Sequence, residues 1–173
     1  FKAAPAASYP HKQTNGDITI AADPFASGEK VKTAFGKLDP YEYGVLPVLV
    51  VIQNDSKETV RVDRMKLEYV AGNVRVEATP AGEVKYAHGP QRPNVYAGGP
   101  PGGKVLVKGK KNPLDVWEIE GRAFSAQLLP PGQTASGFFY FQTGIQNGSS
   151  LYLSGLSEAK SGKELFYFEV PLQ

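Results

Sequence analysis

The chain is built from short apolar stretches separated by turn residues, and its longest apolar stretch is Val45-Leu46-Pro47-Val48-Leu49-Val50-Val51-Ile52. Gly44 precedes it, Asn54-Asp55-Ser56 follows, and β-branched residues dominate it. An apolar run between turn signals predicts a strand buried on both faces, around which neighbouring strands are placed. Pro47 has no amide to give to a ladder, so it belongs at the start of that strand or beside a bulge.

Flanking segments alternate instead. Ile18, Ile20 and Ala22 share one face after the Asn15-Gly16 turn, which predicts a half-buried first strand. Ser27 to Gly36 reads as a short helix, with Ser27 as N-cap, Gly36 as C-cap, and Val31, Ala34 and Phe35 on its apolar face. Met65, Leu67 and Tyr69 oppose Lys66 and Glu68, and Ala71-Gly72-Asn73 turns this strand into Val74-Arg75-Val76-Glu77. That is a hairpin with one wet face. Asn112-Pro113 offers a helix start, with Leu114, Trp117, Gly121 and Phe124 at helical spacing; alternation through Val116 to Glu120 fits a strand nearly as well. Gly137 to Phe141 is an aromatic strand, Leu151 to Leu153 another, and Leu165 to Val170 closes the series. About seven short strands with one or two short helices predict a mainly β chain folded as an antiparallel β-sandwich.

Two regions break the pattern. Residues 80–112 are rich in Pro and Gly and read as a long loop insertion; such loops are usually functional or disordered. Residues 1–14 read as a flexible N-terminal tether, leaving 15–173 as a single domain. The small, Ala/Pro-rich start suits a chain released from a signal sequence or held by a lipid anchor upstream of Phe1. The expected location is therefore outside the cytoplasm: periplasm or cell surface.

Composition narrows the chemistry. At 173 residues the chain can bury one sizeable core. Nineteen basic and 17 acidic residues leave a net charge of +2, which argues against a nucleic-acid partner. Cysteine is absent, so there is no disulfide, thiolate metal site or cysteine nucleophile. No apolar run reaches the ~18 residues of a membrane-spanning helix.

The apolar strand ending in Asn54-Asp55, the loop Leu129-Pro130-Pro131-Gly132-Gln133, the strand Gly137-Phe138-Phe139-Tyr140-Phe141 and the close Phe168-Glu169-Val170-Pro171-Leu172 form a familiar series. The series resembles uncharacterised bacterial exported domains, many of them lipoproteins, with an immunoglobulin-like or telokin-like sandwich. The resemblance implies that fold and an envelope setting. It carries no catalytic residue, and the 80–112 insertion lies outside it.

Candidate chemistry is sparse. Gly98 to Lys104 nearly spells a phosphate-binding loop, but Val105 stands where Ser or Thr would ligate magnesium, and Pro100 and Pro101 remove cradling amides. No cofactor is expected. His11 and His88 are the only histidines, without a second His at metal-ligand spacing. Asp39, Glu42, Asp55 and Asp63 match no calcium loop, and Glu118 and Glu120, which could pair as an acid/base couple, at i and i+2 fit better a shared wet strand face or splayed positions on a helix. Asn54-Asp55-Ser56 and Asn147-Gly148-Ser149 fit the glycosylation sequon, and also ordinary turns. Tyr41, Tyr43, Tyr86 and Tyr96 flank loops, where tyrosines suit sugar or protein recognition but also cover sheet edges. Lys104, Lys108, Lys110 and Lys111 form a basic cluster suited to an anionic surface or to keeping a loop solvated.

The expectation is a non-catalytic exported envelope binding module. Its contact residues would be Tyr86, His88, Arg92, Tyr96, Lys104, Lys108, Lys110 and Lys111. Its partner would be an envelope protein or an anionic surface glycan or lipid. The alternatives are a structural subunit of an envelope assembly that pairs through an open sheet edge, and a hydrolase using His88 with a carboxylate.

Overall fold

The computed structural model describes residues 1–87 and 112–173. These hold eleven strands: β1 (Lys12–Asn15), β2 (Ile18–Pro24), β3 (Leu46–Asn54), β4 (Val60–Arg61), β5 (Lys66–Ala71), β6 (Val74–Glu77), β7 (Leu128–Leu129), β8 (Thr134–Phe141), β9 (Ser150–Ser154), β10 (Ser157–Glu158) and β11 (Phe168–Pro171). Two short helices, α1 (Gly28–Phe35) and α2 (Trp117–Gly121), and 3-10 turns at Ala6–Ser8, Pro40–Tyr43 and Ala81–Tyr86 complete the described chain. The strands form three sheets, ordered β1-β2-β3-β8, β11-β9-β5-β6 and β10-β4-β7. All of these pairings are antiparallel.

The apolar run forms β3, which lies inside the first sheet between β2 and β8. Every residue of β3 is buried except Gln53, which is half-buried. Its two faces enter different cores. Leu46, Val48, Val50 and Ile52 join Ile18 and Ile20 and meet Leu67, Tyr69, Leu151, Leu153, Phe168 and Val170 of the second sheet. Leu49 and Val51 join Phe138 and Tyr140 and meet Val31, Phe35, Val84 and Ile119 from the helical segments, with Phe25 and Leu114 from the connections beside them. The first sheet is thus the middle layer of three. Each fully buried Val, Leu or Ile contributes about 1.5–3 kcal/mol over its exposed state, which rewards a strand apolar on both faces. Among the described residues the second sheet is covered on one face, and β5 alternates accordingly between exposed or half-buried and buried positions. Pro47, the second residue of β3, gives its carbonyl to the Phe25 amide at 2.9 Å.

The exit of β3 is tied down by one buried side chain. Asn54 is fully buried, and its Nδ2 donates to the carbonyls of Glu58 and Leu129, each at 2.8 Å. Its Oδ1 accepts from the Ser56 amide at 3.0 Å and hydroxyl at 2.6 Å. Its backbone amide donates to Gln133 O at 3.0 Å, and its carbonyl accepts from Gly132 N at 2.6 Å. Gly132 takes φ 77°, a left-handed conformation that turns its amide back to this carbonyl at little steric cost. The Asn-Asp strand exit and the Leu-Pro-Pro-Gly-Gln loop, 75 residues apart, are therefore one hydrogen-bonded unit. Asn54 is not an accessible glycosylation acceptor.

Several expectations differ from the structure. The seven or so expected strands are eleven among the described residues: β7 and β10 pair over two residues each, too few to leave a periodic signal, and β1 lies mostly in the expected tether. Residues 1–14 do not behave as a free tether: they contain a 3-10 turn and most of β1, and Ala6 is fully buried. Phe1 packs against Phe25 and Phe138, with ring centroids 5.9 and 5.6 Å away. Residues 81–86 of the expected insertion form a 3-10 turn that buries Val84. Ser27 flanks α1 without a side-chain cap bond; its carbonyl accepts from Val31 N at 2.9 Å. The expected helix after Asn112-Pro113 is confined to α2, and Ile119 rather than Trp117 is its core residue. Instead, Asn112 Oδ1 accepts from Leu114 N at 3.0 Å, a local turn that competes with helix.

Two outcomes are expected. Asn54→Ala removes the side-chain partner of the Leu129 and Glu58 carbonyls and of the Ser56 amide, and lowers unfolding free energy by about 2–4 kcal/mol in urea titrations. Tyr140 donates to Ile119 O at 2.6 Å, and burial pushes its phenol above the ordinary tyrosine range. The folded chain holds this proton more tightly than the unfolded chain. Its contribution is therefore complete below pH ~10 and is lost as pH rises beyond it. Tyr140→Phe costs about 1 kcal/mol at neutral pH and flattens that alkaline decline, read by denaturation at stepped pH.

Candidate functional site

The outer face of the second sheet carries a cluster of aromatic and charged side chains. Antiparallel register puts Glu169, Tyr152, Glu68 and Glu77 in one row across β11, β9, β5 and β6. Arg75 sits one step along β6 on the same face. Its Nη1 donates to Glu68 Oε2 at 2.9 Å, and its guanidinium lies 5.6 Å from the Tyr152 ring centroid. The Tyr152 ring runs nearly parallel to that of Tyr167, at 19° and 6.1 Å between centroids. Tyr167 is 62% exposed and the adjacent Phe166 78%.

The connection into β11 places these rings. Leu165 N donates to Leu156 O at 2.8 Å, and the Leu165 side chain packs on the core between the two sheets. Phe168 is buried at the start of β11, so Phe166 and Tyr167 span the gap outside. The expected strand Leu165 to Val170 therefore begins only at Phe168 and runs on to Pro171. The Glu169 carboxylate on the neighbouring strand raises the Tyr152 phenol pKa; Arg75 acts in the opposite direction.

Two grooves meet here. One, of about 230 Å³, is lined by Lys66, Glu68, Arg75, Tyr152, Ser154 and Tyr167. The other, of about 580 Å³, shares Lys66, Ser154 and Tyr167 and adds Arg64, Glu164 and Phe166. Beyond Glu68 and Glu77 lies a cleft of about 330 Å³ at the side of the core, floored by Met65, Leu67, Ala78 and Phe139. Rings flanked by carboxylate, guanidinium and ammonium groups can stack on the apolar face of a sugar while hydrogen-bonding its hydroxyls. A separate groove of about 440 Å³ lies beside β8 and is lined by Phe1, Arg122, Ser125 and Ser136. There the Arg122 guanidinium lies 5.6 Å from the exposed Trp117 ring, and its Nε is buried without a hydrogen-bond partner.

Of the residues expected to make contact, only Tyr86 lies within the described chain. It ends the 3-10 turn, 56% exposed, with Lys85 Nζ 5.5 Å from its ring centroid. That turn covers the first sheet, so Tyr86 does not join the Tyr152 cluster. His88, Arg92, Tyr96, Lys104, Lys108, Lys110 and Lys111 lie outside the described residues, and with them the hydrolase alternative and the phosphate-loop-like stretch. Tyr41 is structural: its hydroxyl accepts from Ile145 N at 3.1 Å. Asp39 caps a 3-10 turn by accepting from Tyr41 N at 3.0 Å. Among the described residues no cluster of three His or carboxylate side chains is placed to hold a metal. No described helix is long and apolar enough to cross a membrane.

Sequence reasoning missed Tyr152, Tyr167, Phe166 and Arg75. A signal was present: Leu151-Tyr152-Leu153 alternates, so Tyr152 must face away from the leucines. Four consecutive large residues, Leu165 to Phe168, likewise cannot all face one core.

No protein-family description and no curated protein matches the chain. Among solved structures, a functionally unknown protein from Listeria monocytogenes EGD-e aligns over 92% of this chain and 79% of its own, at 12% identity and a TM-score of 0.42. That similarity is too slight to carry an argument about fold or function.

The Tyr152–Glu169 contact has a direct test. Glu169→Gln removes the charge that disfavours phenolate, so the Tyr152 pKa falls toward ~10. Tyrosine-ring NMR titration reads the change.

Proposed function

We propose that this chain is a non-catalytic binding module of the cell envelope, built as an immunoglobulin-like β-sandwich, that holds an envelope glycan against the outer face of its second sheet. The observation that carries this reading is the Tyr152–Tyr167–Phe166 cluster, exposed beside Arg75 and Lys66 on an otherwise polar face. A monomer's scattered exposed apolar residues need no explanation, but a rimmed aromatic patch marks a contact surface. Stacked tyrosines supply rigid contact area at low entropic cost, and the carboxylates and cations around them supply acceptors and donors for sugar hydroxyls. The rigid sheet presents these groups, and no bond-making step is required of them.

Co-sedimentation with purified peptidoglycan sacculi tests the reading, with phosphatidylglycerol vesicles as the competing surface. The wild-type chain is expected to sediment with sacculi, and Tyr152→Ala with Tyr167→Ala to weaken binding by about tenfold or more. Absence of binding, binding indifferent to both tyrosines, or binding to vesicles alone would refute the glycan reading.

A further inference from the structure

The outer edge of β6 has properties that the glycan reading does not use. Among the described residues, the other three edges of the two large sheets are engaged. β1 lies along β11, where Glu169 N donates to Gln13 Oε1 at 2.6 Å. The edge of β8 is bridged at Tyr140 by Thr79 and at Phe138 by Ala123. Only β5 pairs with β6.

The hairpin turn sets which backbone groups point outward. Ala71 pairs with Val74 across the two-residue loop Gly72-Asn73, and Gly72 has φ 56°. Residues flanking such a loop exchange the closing hydrogen bonds. Val74 and Val76 therefore turn their amides and carbonyls to β5, and Arg75 and Glu77 turn theirs outward. The Ala78 N to Leu67 O bond of 3.0 Å continues the same parity. Side chains follow the other alternation, with Arg75 and Glu77 on the polar face and Val74, Val76 and Ala78 on the core side.

Glu77 stands directly opposite Glu68 and, among the described residues, has no ion pair, while Arg75 bonds Glu68. Like charges directly opposite on a sheet destabilise it. Val74, on the core side, remains 40% exposed.

We infer that β6 pairs antiparallel with β6 of a second copy of this chain, about a two-fold axis at Val76. In that register Arg75 faces Glu77 of the second copy, and Glu77 faces its Arg75. Both pairs are outward-pointing, so four backbone hydrogen bonds form and two ion pairs cross the axis on the polar face. Arg75, with five donors, can bridge Glu68 and the second copy's Glu77. On the core side Val74 meets Ala78 and Val76 meets Val76. A slip of two residues sets Arg75 against Arg75 or Glu77 against Glu77, and a slip of one sets outward groups against inward ones, so the charges and the hydrogen bonds select the same register. The contact is isologous and closes at two copies. A four-residue edge is a small interface, so the dimer is concentration-dependent.

Sedimentation velocity of the full chain over a concentration series is the first test, with reversible dimerisation expected. Arg75→Glu or Glu77→Arg alone is expected to weaken the dimer about tenfold or more, and the two together to restore it, with circular dichroism unchanged. Because the chain has no cysteine, Val76→Cys gives an independent test. A non-hydrogen-bonded antiparallel pair has Cα atoms about 4.5 Å apart, within disulfide reach, so mild oxidation should yield a covalent dimer. A wild-type chain that stays monomeric into the millimolar range, a dimer indifferent to both charge reversals, or a Val76→Cys chain that does not cross-link would overturn the inference.

Discussion

Burial of β3 on both faces is the constraint from which the rest of the architecture follows. A strand with no wet face cannot sit in a two-layer arrangement with one side open; its sheet needs cover above and below. The second sheet supplies one cover through Leu67, Tyr69, Leu151 and Leu153. The helical segments supply the other through Val31, Phe35, Val84 and Ile119. This second requirement explains why segments without strong helical patterns of their own, such as residues 81–86 and 117–121, are held in place. Each contributes a single fully engaged core residue, Val84 or Ile119.

Asn54 is the polar counterpart of that apolar constraint. Where β3 leaves the core, its buried amide side chain and backbone bond the 129–133 loop and the 56–58 turn. A buried polar group with every bond made favours one arrangement over its neighbours, because any shift strands it. The Asn-Asp strand exit and the Leu-Pro-Pro-Gly-Gln loop are thus two halves of one corner, and hydrogen bonding gives their pairing a physical cause.

The candidate site arises from the opposite situation, a face the fold does not cover. Described residues pack on one side of the second sheet and leave the outward residues of β5, β6 and β9 on the other, where the connection before β11 adds Phe166 and Tyr167 to them. The same exposed sheet ends in β6, whose backbone is paired on one side by described residues. Arg75 belongs to both surfaces: its side chain lines the groove beside Tyr152, and its backbone lies on the outer edge of β6.

Local pattern determined a good deal by itself. The apolar run 45–52 announced a buried strand, the alternation at 65–69 a half-wet one, Ser27 to Gly36 a short helix, and Ala71-Gly72-Asn73 the hairpin turn; each of these depends only on neighbouring residues. Pattern said nothing of the two-residue strands β7 and β10, of the burial of Ala6, or of which rings among Leu165 to Phe168 face water. Nor did it place Glu77 opposite Glu68, or Arg75 over Tyr152. Those facts depend on partners contributed by distant segments, and a side chain's exposure is set by what packs against it, which only the folded chain decides.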